Sequence, residues 1–286
     1  MLNNASIPLF YINDGRMVTY GEIVDALYRV GADKCDVLLL HTEIFFGRPN
    51  PELSRNELLS LLYETIVEMD VGTLVFPSFT FSFSNHEVFD IKNTKSRMGA
   101  LNEYARKLPE AVRTLEPQMS FVIVGKNIDI ANIHGRHSLG KGSVFDNLHN
   151  TDNVKILFFG SELSQCFTHM HYVEECLGVP YRYNRNFNGT IINENGYIYE
   201  DTYTLFVKYK FVKPKIPVAF DTHLISNHSL NKVQLGNAYI QCISEIDAYN
   251  ETANWLENDI NCFLSEPYDK CPLVKEYNYG NVTTVQ

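Results

Sequence analysis

The sequence lacks the features of a membrane protein and of a disulfide-stabilised protein. No apolar run approaches the roughly 18 residues that a membrane-spanning helix needs, so no membrane span is expected. The first residues show no basic stretch followed by an apolar one, so a secretory signal is not expected either. The six cysteines are scattered through 286 residues without a CxxC pair, which predicts reduced thiols and a cytoplasmic location.

Positive charge is also scarce. Lys and Arg number 24 against 34 Asp and Glu, which gives a formal net charge of −10. A nucleic-acid-binding protein needs a basic surface that displaces counterions, so nucleic acid is not expected as a partner. The acidic balance is compatible with a cationic partner such as an amine.

Apolar residues are plentiful, at 45% of the chain, and strand-like runs alternate with helix-like segments through the first two-thirds. This alternation predicts an α/β fold, a three-layer α/β/α sandwich around a mixed, largely parallel central sheet. A length of 286 residues suits one domain over residues 1–286. The predicted strands cover residues 36–41, 73–77, 119–125 and 154–160, and the predicted helices cover residues 52–69, 98–107, 168–177 and 244–264.

The pattern changes after residue 180. Residues 202–211 alternate with period two, and the NENG segment at residues 193–196 before them is typical of a hairpin turn. We therefore expect a small antiparallel piece after residue 180, as a β-rich lobe around residues 185–235.

Histidines offer one route to chemistry, as ligands of a metal. His134, His137, His169 and His171 would be the ligands of a metal-dependent hydrolase. On a helix, however, residues two apart point about 200° from each other, so His169 and His171 cannot share an ion there. Metal binding is therefore the less favoured reading, and the hydrolase stays an alternative.

The helix over residues 168–177 offers a different route. His171 and Glu174 are three residues apart and lie on one helical face, where their side chains can touch. A carboxylate beside a histidine fixes the ring tautomer and supports a general base. The helix also follows a buried strand, and ligands of open α/β sheets gather beyond the carboxyl ends of strands.

Seven segments, in order from about residue 20 to about residue 240, resemble motifs of the aminoglycoside 3-N-acetyltransferase family. The helix matches the family's T-x-x-H-x-x-E element at Thr168, His171 and Glu174. The segments are LLLHTEI (38–44), FPSFT (76–80), SRMGALNEYAR (96–106), RTLEPQMSF (113–121), LGKGSVFDNL (139–148), THMHYVE (168–174) and GVPYRYNRNFNG (178–189).

The resemblance implies direct acetyl transfer from acetyl-CoA to a primary amine, with no metal. His171 would be the general base, Glu174 its partner, and Thr168 with nearby amides would stabilise the negative charge formed during transfer. The acceptor would be an aminoglycoside, as in antibiotic resistance, or the amino sugar that we favour, and it would contact Glu175, Tyr181 and Arg182. A homodimer stays open. The residues expected to bind coenzyme A are His41, Thr42, Glu43, Phe79, Thr80, Ser120, Gly142 and Ser143.

The chain departs from the family pattern at three of these segments. Glu43 stands at a serine position, Glu116 at a histidine position and Val144 at a proline position. An acidic side chain repels a coenzyme phosphate, so Glu43 is expected to point elsewhere. These departures bear on coenzyme binding and acceptor choice, and they leave a catalytically silent, CoA-binding relative as a further alternative.

Overall fold

The computed structural model describes residues 4–13 and 15–277. The strands are β1 (Pro8–Tyr11), β2 (Met17–Thr19), β3 (Val37–Thr42), β4 (Arg48–Pro49), β5 (Thr73–Pro77), β6 (Phe89–Asp90), β7 (Val112–Arg113), β8 (Phe121–Gly125), β9 (Val154–Phe159), β10 (Arg182–Ile192), β11 (Ile198–Lys208), β12 (Leu230–Leu235) and β13 (Ala238–Ser244). The α-helices are α1 (Tyr20–Val30), α2 (Arg55–Val67), α3 (Ala100–Ala105), α4 (Val144–His149), α5 (Leu163–Cys166), α6 (His169–Leu177), α7 (Val218–Ser226) and α8 (Glu245–Asn258).

The ends of the helices follow from their capping residues. Thr19 and Ser54 each begin a helix in a capping box, α1 and α2 respectively. Each cap hydroxyl accepts a hydrogen bond from an amide of the first turn, and the amide of the capping residue donates to the glutamate at that position. Gly31 and Gly178 end α1 and α6 in the left-handed conformation, with φ of 74° and 63°.

Within the described residues, seven strands form the central sheet in the order β12-β13-β9-β3-β5-β8-β7. Strand β3 lies parallel to both β9 and β5. The side chains of β3 alternate between two hydrophobic clusters on opposite faces of the sheet. Helices α1, α2 and α3 cover one face, and α4, α6 and α8 cover the other. The predicted three-layer α/β/α class with a mixed sheet is therefore confirmed.

Contrary to our expectation, the central sheet is not largely parallel. The parallel pairings lie at its centre, whereas β12, β13, β8 and β7 pair antiparallel with their neighbours. Two of these antiparallel pairings, β12–β13 and β7–β8, join strands that follow each other directly in the chain. One of them, β12–β13, turns through Gly236 and Asn237 alone, and a two-residue turn of this kind joins antiparallel strands.

The antiparallel piece after residue 180 is present as a second, smaller sheet. Strands β10 and β11 pair along their whole length, with the turn at residues 193–197, and β6 adds a short parallel edge. Strand β12, which falls inside the expected lobe of residues 185–235, belongs instead to the central sheet. The division of the chain into one domain with a lobe stays a prediction.

Two structural features bear on the predicted location of the protein, the length of its apolar helices and the state of its cysteines. None of the helices in the described part of the chain is long and apolar enough to cross a membrane. All six cysteines are free thiols. A cytoplasmic location stays a prediction.

Candidate active site

The predicted site segments meet at one edge of the central sheet. The carboxyl ends of the parallel strands β3, β5 and β9 lie at this edge, and antiparallel β8 begins there. Ser120, just before β8, donates from its hydroxyl to the carbonyl of Ser78, just after β5 (2.6 Å). Helix α6 follows β9 through the short helix α5, so it begins at the same edge.

His171 and Glu174 form the predicted pair on α6. His171 Nδ1 lies 2.7 Å from Glu174 Oε2. The Glu174 side chain is fully buried, whereas that of His171 is 29% exposed. A carboxylate held at Nδ1 leaves Nε2 as the ring nitrogen that can accept a proton. The pair therefore has the arrangement that a general base requires.

Tyr181 and Arg182 face Glu174, and their contact with the acceptor stays a prediction. The Tyr181 hydroxyl donates to Glu174 Oε1 at 2.8 Å, and Arg182 Nε lies 2.7 Å from Oε2. Both residues are buried. The physical reason is that a fully buried carboxylate needs donors for both oxygens and a compensating charge.

These contacts shift the pKa of both members of the pair. Burial alone would raise the pKa of Glu174, but Arg182 and the bonded groups hold it below its usual range. Burial and the charge of Arg182 lower the pKa of His171, against the raising effect of Glu174. Glu174 is thus an anion whose charge Arg182 balances, and His171 is neutral at neutral pH.

A cavity of about 230 Å³ opens beside His171. Thr168, the predicted oxyanion-stabilising residue, lines it at the start of α6, and its hydroxyl donates to the carbonyl of Cys166 at 3.3 Å. Lys215, in the segment after the hairpin, also lines this cavity. The cavity gives His171 access to a small reacting group.

The end of β3 has one buried side-chain nitrogen without a partner among the described residues. His41 is 6% exposed, stacks on Phe158, and its Nε2 bonds to none of the described residues. Burial, with nearby His169, lowers the pKa of His41 to about 3. Thr42 is buried and bonds to Asn102. Glu43 is exposed, and the expectation that it points away from a coenzyme phosphate stays a prediction.

Other residues predicted to bind coenzyme A are used internally. Phe79 is buried edge-on against Phe121. The Thr80 hydroxyl donates to the carbonyl of Pro117 at 2.8 Å, and Ser120 is fully buried. These side chains therefore shape the edge of the sheet, and in this structure their hydroxyls bond to the protein.

The loop before α4 packs against a second acidic residue, Glu175 of α6. Ser143 caps α4, and the Gly142 amide donates to Asp146 (2.8 Å). Both residues, which we predicted to bind coenzyme A, therefore bond to the protein in this structure. Glu175, on α6, lies against the neighbouring Gly140, its Oε1 3.1 Å from His137 Nδ1. Its buried Oε2 has no partner among the described residues.

Glu116, the departure from the family's histidine, is buried within the site's framework. Its carboxylate accepts from the Ser138 hydroxyl at 2.7 Å and from the amides of Gln118 and Met119. Burial raises its pKa to about 7, against those bonds. Glu116 therefore joins the loop at Ser138 to the turn before β8.

The four histidines of the hydrolase alternative do not converge. His169 is fully buried and bonds to Glu245 at 2.7 Å, while His171 and His137 bond to two other carboxylates. No three His, Cys, Asp or Glu side chains among residues 4–13 and 15–277 are grouped to hold a metal. Glu245 was not predicted, because 76 residues separate it from His169 and no local pattern joins them.

The residues at this edge fit a coenzyme thioester in two respects. The unpartnered Nε2 of His41 offers a hydrogen bond at the end of β3, and the cavity beside His171 has room for an acetyl group. Bound acetyl-CoA would supply the activated acyl group. His41, Thr168 and His171 stay the residues that we predict to bind acetyl-CoA or to act on it.

Comparison with solved structures shows the fold. The binary complex of AAC-IIIb with CoASH has a TM-score of 0.68 at 16% identity, over 87% of this chain and 98% of that one. YokD from Bacillus subtilis has a TM-score of 0.69 at 19% identity, over 90% and 97%. AAC-VIa bound to sisomicin has a TM-score of 0.69 at 16% identity, over 84% and 97%.

Comparison of sequences shows the family. No curated protein sequence matches the chain. The family model described as aminoglycoside 3-N-acetyltransferase matches residues 52–257, a range that includes β5, β9, α6 and the hairpin of β10 and β11. Because this match spans more than half of the 286 residues, the chain belongs to the aminoglycoside 3-N-acetyltransferase family, whose class of reaction is acetyl transfer.

Proposed function

We propose that the protein transfers the acetyl group of acetyl-CoA directly to a primary amine of an amino-sugar or aminoglycoside acceptor, with His171 as general base. The observation that carries this proposal is the His171–Glu174 pair, held at the mouth of a cavity by a buried arginine. Family membership supports the reaction class. The solved complexes with CoASH and sisomicin support a coenzyme and an amine as substrates.

The residues of this chain divide the work as follows. The nitrogen of the acceptor amine bonds to the acetyl carbon while His171 Nε2 takes a proton from that amine. The C–S bond of the thioester then breaks, and the proton passes from His171 to the departing thiolate. Glu174 fixes the ring orientation and stabilises the imidazolium formed in between. Thr168 stabilises the developing negative charge by turning its hydroxyl from the carbonyl of Cys166 towards the reacting oxygen. Glu175 contributes acidity near the acceptor.

The test is acetylation of a panel of amino sugars and aminoglycosides, with His171→Gln as the key variant. Products are followed by mass spectrometry, because the exposed thiol of Cys176 would react with a thiol reagent. His223→Gln is the matched control, since His223 on α7 also bonds a glutamate, Glu251 on α8. We expect His171→Gln to lose about 10²–10⁴-fold in rate and His223→Gln to keep the wild-type rate.

Binding and catalysis can be separated by thermal unfolding with acetyl-CoA. A ligand at a hundred times its dissociation constant stabilises the native state by about 2.7 kcal/mol, and His171→Gln should keep this stabilisation. Stabilisation without acetylation of any amine would indicate a catalytically silent relative and contradict the proposal. Full activity in His171→Gln would contradict the assignment of the base.

A further inference from the structure

The guanidinium of Arg182 contacts both members of the proposed catalytic pair. Its Nη2 lies 2.9 Å from His171 Nδ1, and its Nε lies 2.7 Å from Glu174 Oε2. Its Nη1 donates to the carbonyl of Phe206 on β11 at 3.2 Å. The Arg182 side chain is 7% exposed, so it is held between α6 and β11 and is largely shielded from solvent.

This arrangement decides which group balances the charge of Glu174. A fully buried carboxylate is stable as an anion only beside a cation. Without an arginine, the available cation would be the protonated ring of His171, and a protonated ring cannot accept a proton. We propose that Arg182 is a positioning residue that neutralises Glu174 and thereby keeps His171 uncharged and ready to act as a base.

The same contacts define the tautomer of the ring. Nδ1 lies within hydrogen-bonding distance of an acceptor, Glu174 Oε2, and of a donor, Arg182 Nη2. One nitrogen cannot serve both, and an arginine can only donate. When Nδ1 carries the proton it bonds to Glu174, and Nε2 is then the free acceptor. Arg182 then faces an N–H group, which makes a second proton on the ring unfavourable.

The remaining charged groups near His171 do not provide this control. Glu175, the next acid on α6, bonds to His137. Lys208 on β11 is bonded to backbone carbonyls of the following loop. Burial and, to a smaller extent, the positive charge of Arg182 lower the pKa of Lys208. Lys215 lines the cavity beside His171 but is exposed. Arg182 is therefore the buried cation that touches the pair.

The inference rests on the proposed function, and opposite pH shifts test it. The acid limb of kcat/KM reports ionisation of the free enzyme and of the free acceptor amine, and the contribution of the amine is the same in every variant. In Arg182→Gln we expect this limb to move up by about one pH unit or more, because a lowering influence on His171 is removed. In Glu174→Gln it should move down, because a raising influence is removed.

Matched variants separate charge from structure. Arg182→Lys keeps the charge, so its limb should stay closer to that of the wild type. Arg185→Gln is the same type of change on the same strand, at a residue that bonds to the carbonyl of Tyr277, and it should move nothing. If Arg182→Gln does not fold, the double variant Glu174→Gln/Arg182→Gln, which lacks both buried charges, should show the same upward shift relative to Glu174→Gln.

A second readout does not depend on turnover. NMR titration of histidine rings labelled at Cε1, with His171 assigned from the His171→Gln spectrum, should show the same upward shift in Arg182→Gln. A loss of activity at every pH, with limb and titration unmoved, would make Arg182 merely structural and overturn the inference. If His171→Gln stays active, the proposed function fails instead, so the two failures can be told apart.

Discussion

Two buried tyrosines allow the charge on Glu174 to be tested by stability alone. The Tyr181 hydroxyl donates to Glu174 Oε1 at 2.8 Å, and the Tyr203 hydroxyl donates to the neutral carbonyl of Leu115 at the same distance. Their side chains are 0% and 1% exposed. A phenylalanine at either position removes one oxygen and leaves the ring in place, so the two changes differ mainly in the acceptor that loses its donor.

The expected losses follow from the acceptors. A hydrogen bond to a charged group contributes about 1.5–3 kcal/mol, and one between neutral groups about 0.5–1.5 kcal/mol. Tyr181→Phe should therefore lower the free energy of unfolding by about 1.5–3 kcal/mol at neutral pH, and Tyr203→Phe by about half as much. Each kcal/mol corresponds to a fall in Tm of about 2–4 °C for a chain of this order of size.

Urea unfolding measures both losses, with the fluorescence of Trp255, the single tryptophan, and circular dichroism as probes. In a Glu174→Gln background the acceptor is neutral, and Tyr181→Phe should then cost no more than Tyr203→Phe. Equal losses for the two tyrosines in the wild-type background would mean that Glu174 is not an anion. That result would refute the electrostatic account of His171 as well.

Three further changes test the framework around the site. Gly160 has φ of 78°, and a Cβ there would lie 1.7 Å from the carbonyl oxygen of Glu43, so Gly160→Ala should lose about 2 kcal/mol or more in urea unfolding; an unchanged midpoint would contradict this. Burial alone would raise the pKa of Glu103, but Arg106 and a backbone amide hold it at about 2. Its stabilisation is therefore present above about pH 4.5 and lost as pH falls towards 2, and Glu103→Gln should flatten the urea midpoint over that range. Thr19→Ala should lose about 1 kcal/mol through the cap of α1, seen as a lower Tm, and a wild-type Tm would show that the capping box contributes nothing.

Local pattern predicted four of the helices, α2, α3, α6 and α8, and four of the seven central strands, β3, β5, β8 and β9. The contact between His171 and Glu174 could be predicted because three-residue spacing places both side chains on one face of α6 whatever the surroundings. The hairpin of β12 and β13 was missed although it had a signal, since Gly236 and Asn237 separate two alternating segments. Missing it made the sheet look more parallel than it is.

The contacts of Arg182 had no comparable signal. They depend on the turn at Gly178, which ends α6 and returns the chain along that helix as β10. A sequence shows an arginine near a predicted site but does not show whether it faces ligand or protein. The hydroxyls of Thr80 and Ser120 are ambiguous in the sequence for the same reason, because a hydroxyl at a strand end can bond to a ligand or to a backbone carbonyl.

The two adjacent acids of α6 acquire different properties from their surroundings. Glu174 is bonded by Tyr181 and balanced by Arg182, and its pKa is held low despite burial. Burial raises the pKa of Glu175, against its contact with His137. Neighbouring carboxyl groups whose pKa values are driven apart are suited to different roles. Glu174 has no free oxygen and can only support His171. Glu175 keeps a buried oxygen without a partner in the described chain, and a cationic amine placed there would restore its charge, which supports its proposed role towards the acceptor.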